Sequence, residues 1–459
     1  MTTTAIVLAA GKGTRMVSDL PKPLFTVRGK SLLRRAIDVA IAAHGQTPIV
    51  VVSPETAGPI AAALGPDLHY ALQSPPLGTG HAVMAAEAAA RALGGDAVSV
   101  LYGDMPLLPP EMLRALSAAR AERGAAIAMV TLLADNPRGF GRIVRDANGT
   151  VREIVEEVAA TPEQRRIREL NVGLYCFDAA WLWPALARIT PNPRKGEYFL
   201  TDLVGLAVAD GREVIATPSE DADAFIGINT RADLADADAA LRRRINKTWM
   251  LKGVTMIDPA TTYIDDDVVL AANVTLEPNT HLRGTTRVEA GSVIGPNSVL
   301  VDAQIGPNCV VLQSVVEASR LEAGARMGPF SRIRGDAVLG PDVHLGNFAE
   351  VKASTLAEGV KMGHFSYVGD AEVGAGANIS AGVVTCNFDG THKHRTTVGA
   401  GALVGSDTML VAPVNVGAGA LTGAGSVVTR DVPPGARVAG VPARPLPAKP
   451  VQSQEEEPC

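Results

Sequence analysis

Aromatic residues and cysteines are scarce in this sequence. Phe, Trp and Tyr make up 4% of the 459 residues, and the four cysteines lie far apart without a CxxC or Cys/His spacing. We therefore expect free thiols, with no disulfide framework and no zinc site. Because aromatic rings are few while 47% of the residues are hydrophobic, the cores must be built mainly from aliphatic side chains.

A basic block and a long apolar run are also missing. Lys and Arg number 42 against 48 Asp and Glu, a net charge of -6, and no segment is suited to follow a phosphate backbone, so no nucleic-acid partner is expected. No run approaches the ~18 apolar residues of a membrane span, and residues 1–4 lack the basic region of a signal peptide. We expect a cytoplasmic protein with no membrane partner.

A chain of 459 residues is predicted to form about three domains at ~150 residues each. Up to residue 228, short β-rich runs such as Ala5 to Ala9 alternate with helical patterns such as Leu32 to Ala43, which follows the N-cap Ser31. This alternation predicts βαβ units and a mainly parallel, Rossmann-like α/β domain at 1–228. Ligands of such sheets bind beyond the carboxyl ends of the strands.

One helix is predicted from Thr230 to Ile245. Thr230 is a suitable N-cap, acidic residues come early, and Arg242 to Arg244 close the segment, as the helix dipole favours. We expect a linker helix at 229–250 between the first domain and a second.

From about residue 251 on, apolar residues recur every six positions. Two runs carry this pattern: Leu321, Met327, Ile333, Leu339, Leu345 and Val351, then Val398, Val404, Leu410, Val416, Thr422 and Val428. A parallel β-helix requires this period because each hexad forms one face of a coil, whereas the alternative, a non-repetitive loop region, does not. We predict a left-handed parallel β-helix of hexapeptide repeats at 251–440 and a flexible tail at 441–459.

The strand from Ala5 to Ala9 leads into a glycine-rich turn with cations nearby. The turn Gly11 to Gly13 lets backbone N–H groups approach a phosphate, and Lys12, Arg15 and Lys22 add positive charge. It has neither the Walker A spacing nor the third glycine of a dinucleotide fingerprint. Taken alone, it is either a phosphate cradle or a purely structural turn.

The motifs of the first domain together resemble the sugar-1-phosphate nucleotidyltransferases. They are, in chain order, Leu8-Ala9-Ala10-Gly11-Lys12-Gly13-Thr14-Arg15-Met16, Pro21-Lys22, Gln73, Leu77-Gly78-Thr79-Gly80, Leu101-Tyr102-Gly103-Asp104, Gly139-Phe140-Gly141, Glu156, Asn171-Val172-Gly173 and Gly227-Ile228-Asn229. The resemblance implies in-line attack by a sugar phosphate on the α-phosphorus of a nucleotide, with pyrophosphate leaving and no covalent nucleophile.

The same resemblance implies a role for each residue. Asp104, for which capping the next segment is the alternative, would hold Mg²⁺ together with Asn229. Arg15 and Lys22 would stabilise the developing charge. The other substrate-binding residues are Gln73, Gly78 and Thr79 around the base, Gly141, Glu156 and Asn171 around the sugar, and Leu8, Ala9, Ala10, Gly11, Tyr102 and Gly103.

In the second domain, His364 stands where a coil would have a small or turn-forming residue, and the polar segment from Val384 to Arg395 interrupts the repeat. An imidazole can serve as general base for an amine that attacks a thioester; a solvated surface histidine is the alternative. A loop extruded from a rigid coil is suited to binding.

Over nearly its whole length, the chain resembles the bacterial bifunctional N-acetylglucosamine-1-phosphate uridylyltransferase/glucosamine-1-phosphate acetyltransferases. The C-terminal motifs are Arg332-Ile333-Arg334, Val351-Lys352, Gly363-His364, Tyr367-Val368-Gly369-Asp370, Asn378-Ile379, Thr385-Cys386-Asn387 and Val404-Gly405-Ser406-Asp407. The resemblance implies that His364 deprotonates the amine of glucosamine-1-phosphate as it attacks acetyl-CoA. The other implied contacts are Arg334 and Lys352 with the phosphate, Tyr367 and Asn378 with the sugar, and Ala381, Asn387, Phe388, Ser406 and Ala424 with acetyl-CoA. A homotrimer with sites between subunits is also implied.

Three positions depart from the family pattern. Phe388 replaces a tyrosine and so removes one hydroxyl from the acetyl-donor site, and Gly440 stands where an arginine contacts coenzyme A. Pro23 and Leu24 follow Lys22, where this family more often has Val and His.

We therefore predict a bifunctional enzyme. It acetylates glucosamine-1-phosphate and then couples N-acetylglucosamine-1-phosphate to UTP, which gives UDP-N-acetylglucosamine for cell-wall precursors. One alternative is a monofunctional nucleotidyltransferase with a regulatory β-helix, against which His364, Lys352 and Asn387 argue. The other is a non-catalytic scaffold, against which Lys22 and Asp104 argue.

Overall fold

The computed structural model describes residues 2–193 and 196–446, so most of the predicted tail, residues 447–459, lies outside the described residues. The chain divides into two compact units between Leu241 and Arg242. This division lies inside the segment predicted to be a linker helix. Within the described ranges, none of the helices combines the length and the apolar character that crossing a membrane requires.

The first unit is an α/β domain. Its strands are β1 (Thr3–Leu8), β2 (Thr26–Val27), β3 (Lys30–Ser31), β4 (Ile49–Val52), β5 (His69–Leu72), β6 (Ala97–Tyr102), β7 (Ile127–Leu133), β8 (Gly141–Arg145), β9 (Val151–Val155), β10 (Glu169–Asp178) and β11 (Val214–Ser219). Its helices are α1 (Leu32–His44), α2 (Pro54–Leu64), α3 (Thr79–Ala85), α4 (Glu87–Leu93), α5 (Pro110–Arg123), α6 (Ala179–Leu186) and α7 (Asp202–Ala209). A further helix, α8 (Arg231–Leu251), begins in this unit and continues into the second.

The main sheet has the strand order β11-β7-β10-β6-β1-β4-β5. Strands β6, β1, β4 and β5 are parallel, and β1 is buried along its whole length, as expected for a strand covered on both faces. Strand β10 runs antiparallel to β6 and β7. Its first residues therefore lie at the edge where the parallel strands end, which brings Asn171 to the ligand-binding side of the sheet.

Helix α1 shows why the local sequence folds as predicted. The Ser31 hydroxyl accepts a hydrogen bond from the Arg34 N–H at 3.2 Å, and Gly45 ends the helix in the left-handed conformation with φ 71°, where glycine carries no steric penalty. Leu33 and Ile37, four residues apart, are fully buried, so one helical face packs against the sheet.

Helix α8 begins as predicted and continues beyond Ile245, where the arginine pattern predicts its end, to one residue past the predicted linker segment 229–250. The Thr230 hydroxyl accepts from the Asp233 N–H at 3.2 Å, but the helix continues past Ile245 to Leu251. Ile245 and Trp249 pack against the core of the second unit, and the buried Asn246 side chain donates to the Pro259 and Thr262 carbonyls at 2.8 and 3.0 Å. These tertiary contacts stabilise the turns of the helix that follow the three arginines.

The second unit is a left-handed parallel β-helix with three faces. Face A contains Thr255–Met256, Thr275–Leu276, Val293–Ile294, Val310–Val311, Arg326–Met327, His344–Leu345, Lys361–Met362, Asn378–Ile379, Leu403–Val404, Leu421–Thr422, Arg437–Ala439 and Arg444–Pro445. Face B contains Tyr263–Ile264, His281–Arg283, Val299–Val301, Val315–Glu317, Arg332–Arg334, Ala349–Lys352, Ser366–Gly369, Val384–Cys386, Met409–Val411 and Val427–Val428. Face C contains Val269–Leu270, Arg287–Val288, Gln304–Ile305, Arg320–Leu321, Val338–Leu339, Thr355–Leu356, Ala371–Val373, Thr396–Val398 and Val414–Val416.

The hexad residues are the core of this unit, which confirms the predicted fold. Successive members of the first run occupy faces C, A and B in turn: Leu321, Met327 and Ile333, followed by Leu339, Leu345 and Val351. All six are at most 2% exposed. Each face therefore contributes one inward side chain, which fills the narrow interior without aromatic rings.

The strand His344–Leu345 allows a matched test of the hexad core, because His344 is exposed and Leu345 is fully buried. We expect Leu345→Ala to lower the free energy of unfolding by about 2–5 kcal/mol. His344→Ala should change it by less than about 0.5 kcal/mol. The shift of the urea midpoint, followed by far-UV circular dichroism, checks both values. Equal shifts for the two variants would contradict the assignment of the core.

Candidate active sites

A cavity of about 690 Å³ lies at the carboxyl edge of the first sheet. Its lining includes all but one of the residues predicted for the first site: Leu8, Ala9, Ala10, Gly11, Lys22, Gln73, Gly78, Thr79, Tyr102, Gly103, Asp104, Gly141, Glu156, Asn171 and Asn229. The exception is Arg15, which lies exposed in the short turn Thr14–Met16 and does not line the cavity. Its catalytic role stays a prediction.

The glycine-rich turn packs tightly against the segment that carries Lys22. Gly13 has φ +61°, and a Cβ atom added there would lie 2.6 Å from the Lys22 Cβ. A larger residue would therefore separate the turn from Lys22 and would also be strained. The glycine at this position is required for the two segments to meet.

Lys22, Asp104 and Asn229 form a polar cluster at the cavity wall. The Lys22 Nζ lies 2.5 Å from the Asp104 Oδ2 and 3.3 Å from the Asn229 Oδ1. The Ile228 N–H donates to the Asp104 carbonyl at 3.0 Å, so the backbone ties both segments together. The Asp233 carboxylate accepts from the Asn229 N–H at 3.0 Å, which fixes Asn229 at the start of α8.

One side of the cavity is shaped by Gln73, Gly78 and Thr79. The buried Gln73 side chain donates to the Gly78 carbonyl at 2.9 Å, and the Thr79 hydroxyl accepts from the Leu200 N–H at 3.1 Å. Gly78 has φ +95°, and a Cβ atom there would lie 2.7 Å from the Tyr198 carbonyl oxygen. The segment around Tyr198 and Leu200 therefore closes over this side.

The adjoining part of the cavity is built around Tyr102 and the first residues of β10. A β-bulge between Asn171 and Leu174 contains Gly173, where a Cβ atom would lie only 2.0 Å from the Tyr102 ring. The Asn171 Oδ1 accepts from the Tyr175 hydroxyl at 2.8 Å. Burial, together with the charges of Glu156 and Asp104, raises the pKa of Tyr102. Tyr102 is therefore a neutral wall of the cavity.

Next to Gly141, Arg142 is 1% exposed. Its guanidinium donates to the Phe140 carbonyl and pairs with the Glu157 carboxylate at 2.6 Å. Phe140 and Glu157 adjoin Gly141 and Glu156. Arg142 thus links two segments that line the cavity.

The cavity also has lining residues that the sequence analysis did not predict. Glu197, Phe199 and Thr201 line it, and the Thr201 hydroxyl donates to the Glu156 Oε1 at 3.1 Å. These residues precede α7 and follow no strand. The rule that ligands bind after strands therefore gave no signal for them.

A second cluster lies on face B of the β-helix. Arg334 and Lys352 are register partners on neighbouring strands, and Lys352 in turn pairs with Gly369. The Lys352 Nζ lies 3.5 Å from the Asp370 Oδ2, and the same carboxylate accepts from the Asn387 side chain. This arrangement brings together residues that are up to 53 positions apart between Arg334 and Asn387.

The polar loop contributes one further cation to this cluster, Lys393. It bridges backbone to backbone with Phe388, and the hydrogen bond and charge of Lys352 lower the pKa of Lys393. The sequence analysis singled out the loop but not this residue. Only the fold shows which of its basic side chains turns back toward Arg334 and Lys352.

The ring of Tyr367 lies along its own strand beside this cluster. A Cβ atom added to Gly369 would lie 2.3 Å from the Tyr367 hydroxyl oxygen. The glycine therefore makes room for the hydroxyl next to the register partner of Lys352. Phe388, by contrast, is 59% exposed.

Four other predicted residues form a straight row along the corner that follows face A. His364, Ala381, Ser406 and Ala424 each come two residues after a face A strand, and those strands are stacked in register. Neighbouring coils lie about 4.8 Å apart, so the row extends over roughly 14 Å. Asn378 lies on the same face, exposed, one coil beyond Lys361.

His364 and the cation cluster occupy opposite ends of one strand. His364 is exposed and precedes Ser366–Gly369, whereas Lys352 pairs with Gly369 at the far end. Three residue steps of strand separate Ser366 from Gly369, about 10 Å. Among the residues that the structure describes, His364 makes no hydrogen bond with the cluster.

Comparison with known proteins agrees with this architecture. Residues 5–174 match the family model of the MobA-like NTP transferase domain. Three relatives, each called bifunctional protein GlmU, are similar over almost the whole chain. The relative from Exiguobacterium sibiricum is 43% identical over 94% of this chain and 95% of its own length. That from Streptococcus thermophilus is 43% identical over 94% of each chain, and that from Enterococcus faecalis is 44% identical over 94% of this chain and 93% of its own.

Similarity of this degree, spread over both units, shows the family and excludes a chance likeness of one domain. The chain therefore belongs to the bifunctional GlmU family, the uridylyltransferase and acetyltransferase enzymes that its sequence motifs resemble.

Proposed function

We propose that this bifunctional transferase makes UDP-N-acetylglucosamine in two steps, one in each unit. The β-helix transfers acetyl from acetyl-CoA to the amine of glucosamine-1-phosphate. The α/β unit then joins N-acetylglucosamine-1-phosphate to the uridylyl group of UTP, and pyrophosphate leaves. The product feeds cell-wall precursor synthesis, and we place the enzyme in the cytoplasm, where UTP and acetyl-CoA are made.

The observation that carries the uridylyltransferase step is the cavity at the carboxyl edge of the sheet. One wall offers backbone N–H groups and Lys22 for phosphates, and the other offers Glu156 and Asn171 for sugar hydroxyls. Positioning and charge stabilisation are the main requirements of phosphoryl-type transfer. The cavity of about 690 Å³ has the size expected for a ligand of this class.

The residues at the cavity wall fit Mg²⁺. Asp104 and Asn229 present oxygen atoms, the ligands that Mg²⁺ prefers, and the Lys22 ammonium already occupies a cation position between them. One or two carboxylates with substrate phosphates are a usual magnesium site. The bound metal would neutralise charge on the triphosphate.

The chain's own groups then orient the reaction. Gln73 and Thr79, held by Gly78 and Leu200, would select the base, and Tyr102 would exclude water from the centre of the cavity. The sugar phosphate oxygen attacks the α-phosphorus from the side of Glu156 and Asn171. Lys22 and the backbone N–H groups of the glycine turn stabilise the charge that develops on the leaving pyrophosphate.

For the acetyltransferase step, the carrying observation is the row of His364, Ala381, Ser406 and Ala424. In this straight row, the candidate general base His364 is followed by three small side chains. Such a row fits an extended thioester whose reactive end lies at the imidazole. The loop with Asn387 and Phe388 lies at the other end of face B, where Asn387 donates to Asp370. The cluster of Arg334, Lys352 and Lys393 supplies the charge that a sugar phosphate needs.

The chemical step follows from these positions. The amine nitrogen attacks the thioester carbonyl while His364 takes its proton, so a C–N bond forms. The C–S bond then breaks, and the proton returns to the thiolate of coenzyme A. Free coenzyme A and N-acetylglucosamine-1-phosphate leave in equal amounts.

We further propose that the β-helix works as a homotrimer. Phe330, Phe348 and Phe365 each come three residues after a face A strand on successive coils and are 54–60% exposed. The rings of Phe330 and Phe348 stack on each other, and these two residues adopt φ of 60° and 56°, which is strained for a bulky residue. Exposed aromatic rings of this kind need a partner surface. The distance between His364 and the cation cluster also favours a site completed by a neighbouring copy.

The acetyltransferase proposal is tested by His364→Ala. We expect thiol release from acetyl-CoA to fall by roughly two to four orders of magnitude, the usual contribution of a general base. Pyrophosphate release from UTP and N-acetylglucosamine-1-phosphate should stay unchanged. His344→Ala, which removes another exposed histidine of the β-helix, is the control. Persisting thiol release would show that His364 is not the base, and no thiol release by the unaltered protein would favour the monofunctional alternative.

The uridylyltransferase proposal is tested by Asp104→Ala and by chelation. Because Asp104 is the carboxylate of the expected metal site, either change should lower pyrophosphate release by roughly a hundredfold or more. Thiol release should persist in both cases, since no metal takes part in the acetyl step. Asp135→Ala alters a carboxylate that is 86% exposed and should leave both activities intact. Loss of thiol release on chelation would contradict the division into two chemistries.

A further inference from the structure

In the structure, the ammonium group of Lys22 stands between the two residues expected to bind the metal. Its Nζ lies 2.5 Å from the Asp104 Oδ2 and 3.3 Å from the Asn229 Oδ1. The side chains of Lys22 and Asp104 are only 11% and 22% exposed, so water screens their charges little. In the part of the chain that the structure describes, Lys22 is the sole side-chain cation within ion-pair distance of Asp104.

We propose that Lys22 is an exchangeable counter-ion of the metal site. Without nucleotide, its ammonium and a divalent cation compete for Asp104 and Asn229; with nucleotide, the triphosphate attracts Lys22 and the metal takes its place. This inference rests on the proposed function, because it takes Asp104 and Asn229 as the metal ligands. It adds that the metal binds well only together with the nucleotide.

The competition follows from charge and space. A magnesium ion would coordinate the Asp104 oxygen at about 2.1 Å, and the ammonium already contacts that oxygen at 2.5 Å. Both cations cannot share one partly buried carboxylate without strong repulsion, because a single negative charge would face three positive charges. One of them must leave when the other binds.

The place to which Lys22 can move is also given by the structure. Its Cβ lies against Gly13, so the stem of the side chain passes directly beside the glycine-rich turn. The lysine side chain has four rotatable carbons and a compact charge. Rotation about these bonds can carry the ammonium from Asp104 to the phosphates held by the turn, with no movement of the backbone.

The proposal predicts effects of opposite sign for one substitution. Lys22→Met keeps an unbranched apolar stem and removes the charge. Without nucleotide, this variant should bind a divalent cation more tightly than the unaltered protein, because the internal competitor is gone. With nucleotide, it should bind UTP more weakly, because the phosphates lose a cation.

We would measure the metal affinity with Mn²⁺, whose preference for oxygen ligands resembles that of Mg²⁺. The electron paramagnetic resonance signal of the free ion would be followed as the full chain is added. Lys22→Met should bind Mn²⁺ at least tenfold more tightly without nucleotide and UTP at least tenfold more weakly. The matched control is Lys12→Met, since Lys12 also lines the cavity but contacts Glu55 at 3.7 Å. Its Mn²⁺ affinity should change less than threefold.

Adding Asp104→Asn to Lys22→Met should abolish the gain in Mn²⁺ affinity. This result would assign the tighter binding to the site of Asp104 and Asn229. Equal Mn²⁺ affinity of Lys22→Met and the unaltered protein would overturn the exchange while leaving the proposed function intact. If neither protein bound Mn²⁺ even with UTP, the metal site of the proposed function would itself fail. These two failures are therefore distinguishable.

A second measurement avoids the variant altogether. In the unaltered protein, the rate at which an amine reagent labels Lys22 is quantified by mass spectrometry of its peptide. Saturating Mg²⁺ without nucleotide should raise that rate at least threefold, because the ammonium leaves Asp104. Labelling that stays constant while Mg²⁺ binds would overturn the exchange.

Discussion

Register between coils is the constraint on which the second unit depends. Each strand hydrogen-bonds to the strand of the preceding coil on the same face. This pairing fixes where a residue lies on its face, however many residues separate the two strands in the sequence. His364, Ala381, Ser406 and Ala424 are separated by 17, 25 and 18 positions, yet they form one row. The extra residues between Ala381 and Ser406 are extruded as the polar loop, which places Lys393 beside Lys352.

The first unit depends instead on glycines beyond or near the ends of its strands, where the backbone closely approaches a neighbouring segment. Gly13 touches the stem of Lys22, Gly78 touches the Tyr198 backbone and Gly173 touches the ring of Tyr102. At each of these positions a Cβ atom would push two walls of the cavity apart. The chemistry of the site thus relies on residues that have no side chain, and the charged residues are held by backbone contacts around them.

The sequence predicted most of the fold because its signals were periodic. The hexads specify which side chain faces inward, and the burial of the six residues of the first run, which begins at Leu321 and ends at Val351, follows from the pattern alone. The last turns of α8 do not follow from its charge pattern, since Ile245 and Trp249 pack against core residues of the β-helix that come later in the sequence. Likewise, Glu197 and Thr201 reach the cavity through a segment that follows no strand, and Arg15, predicted together with Lys22, does not line the cavity.

The packing of Ile245, Asn246 and Trp249 on the first coil has a consequence for the whole solenoid. A stack of parallel strands ends in a row of unpaired N–H and C=O groups, which is a template for pairing with further chains. Repeat folds require a polar or covered terminal repeat to remain separate molecules. The last turns of α8 cover this end of the stack with two apolar side chains, and Asn246 pairs two carbonyl groups of the first coil that would otherwise be open to another chain.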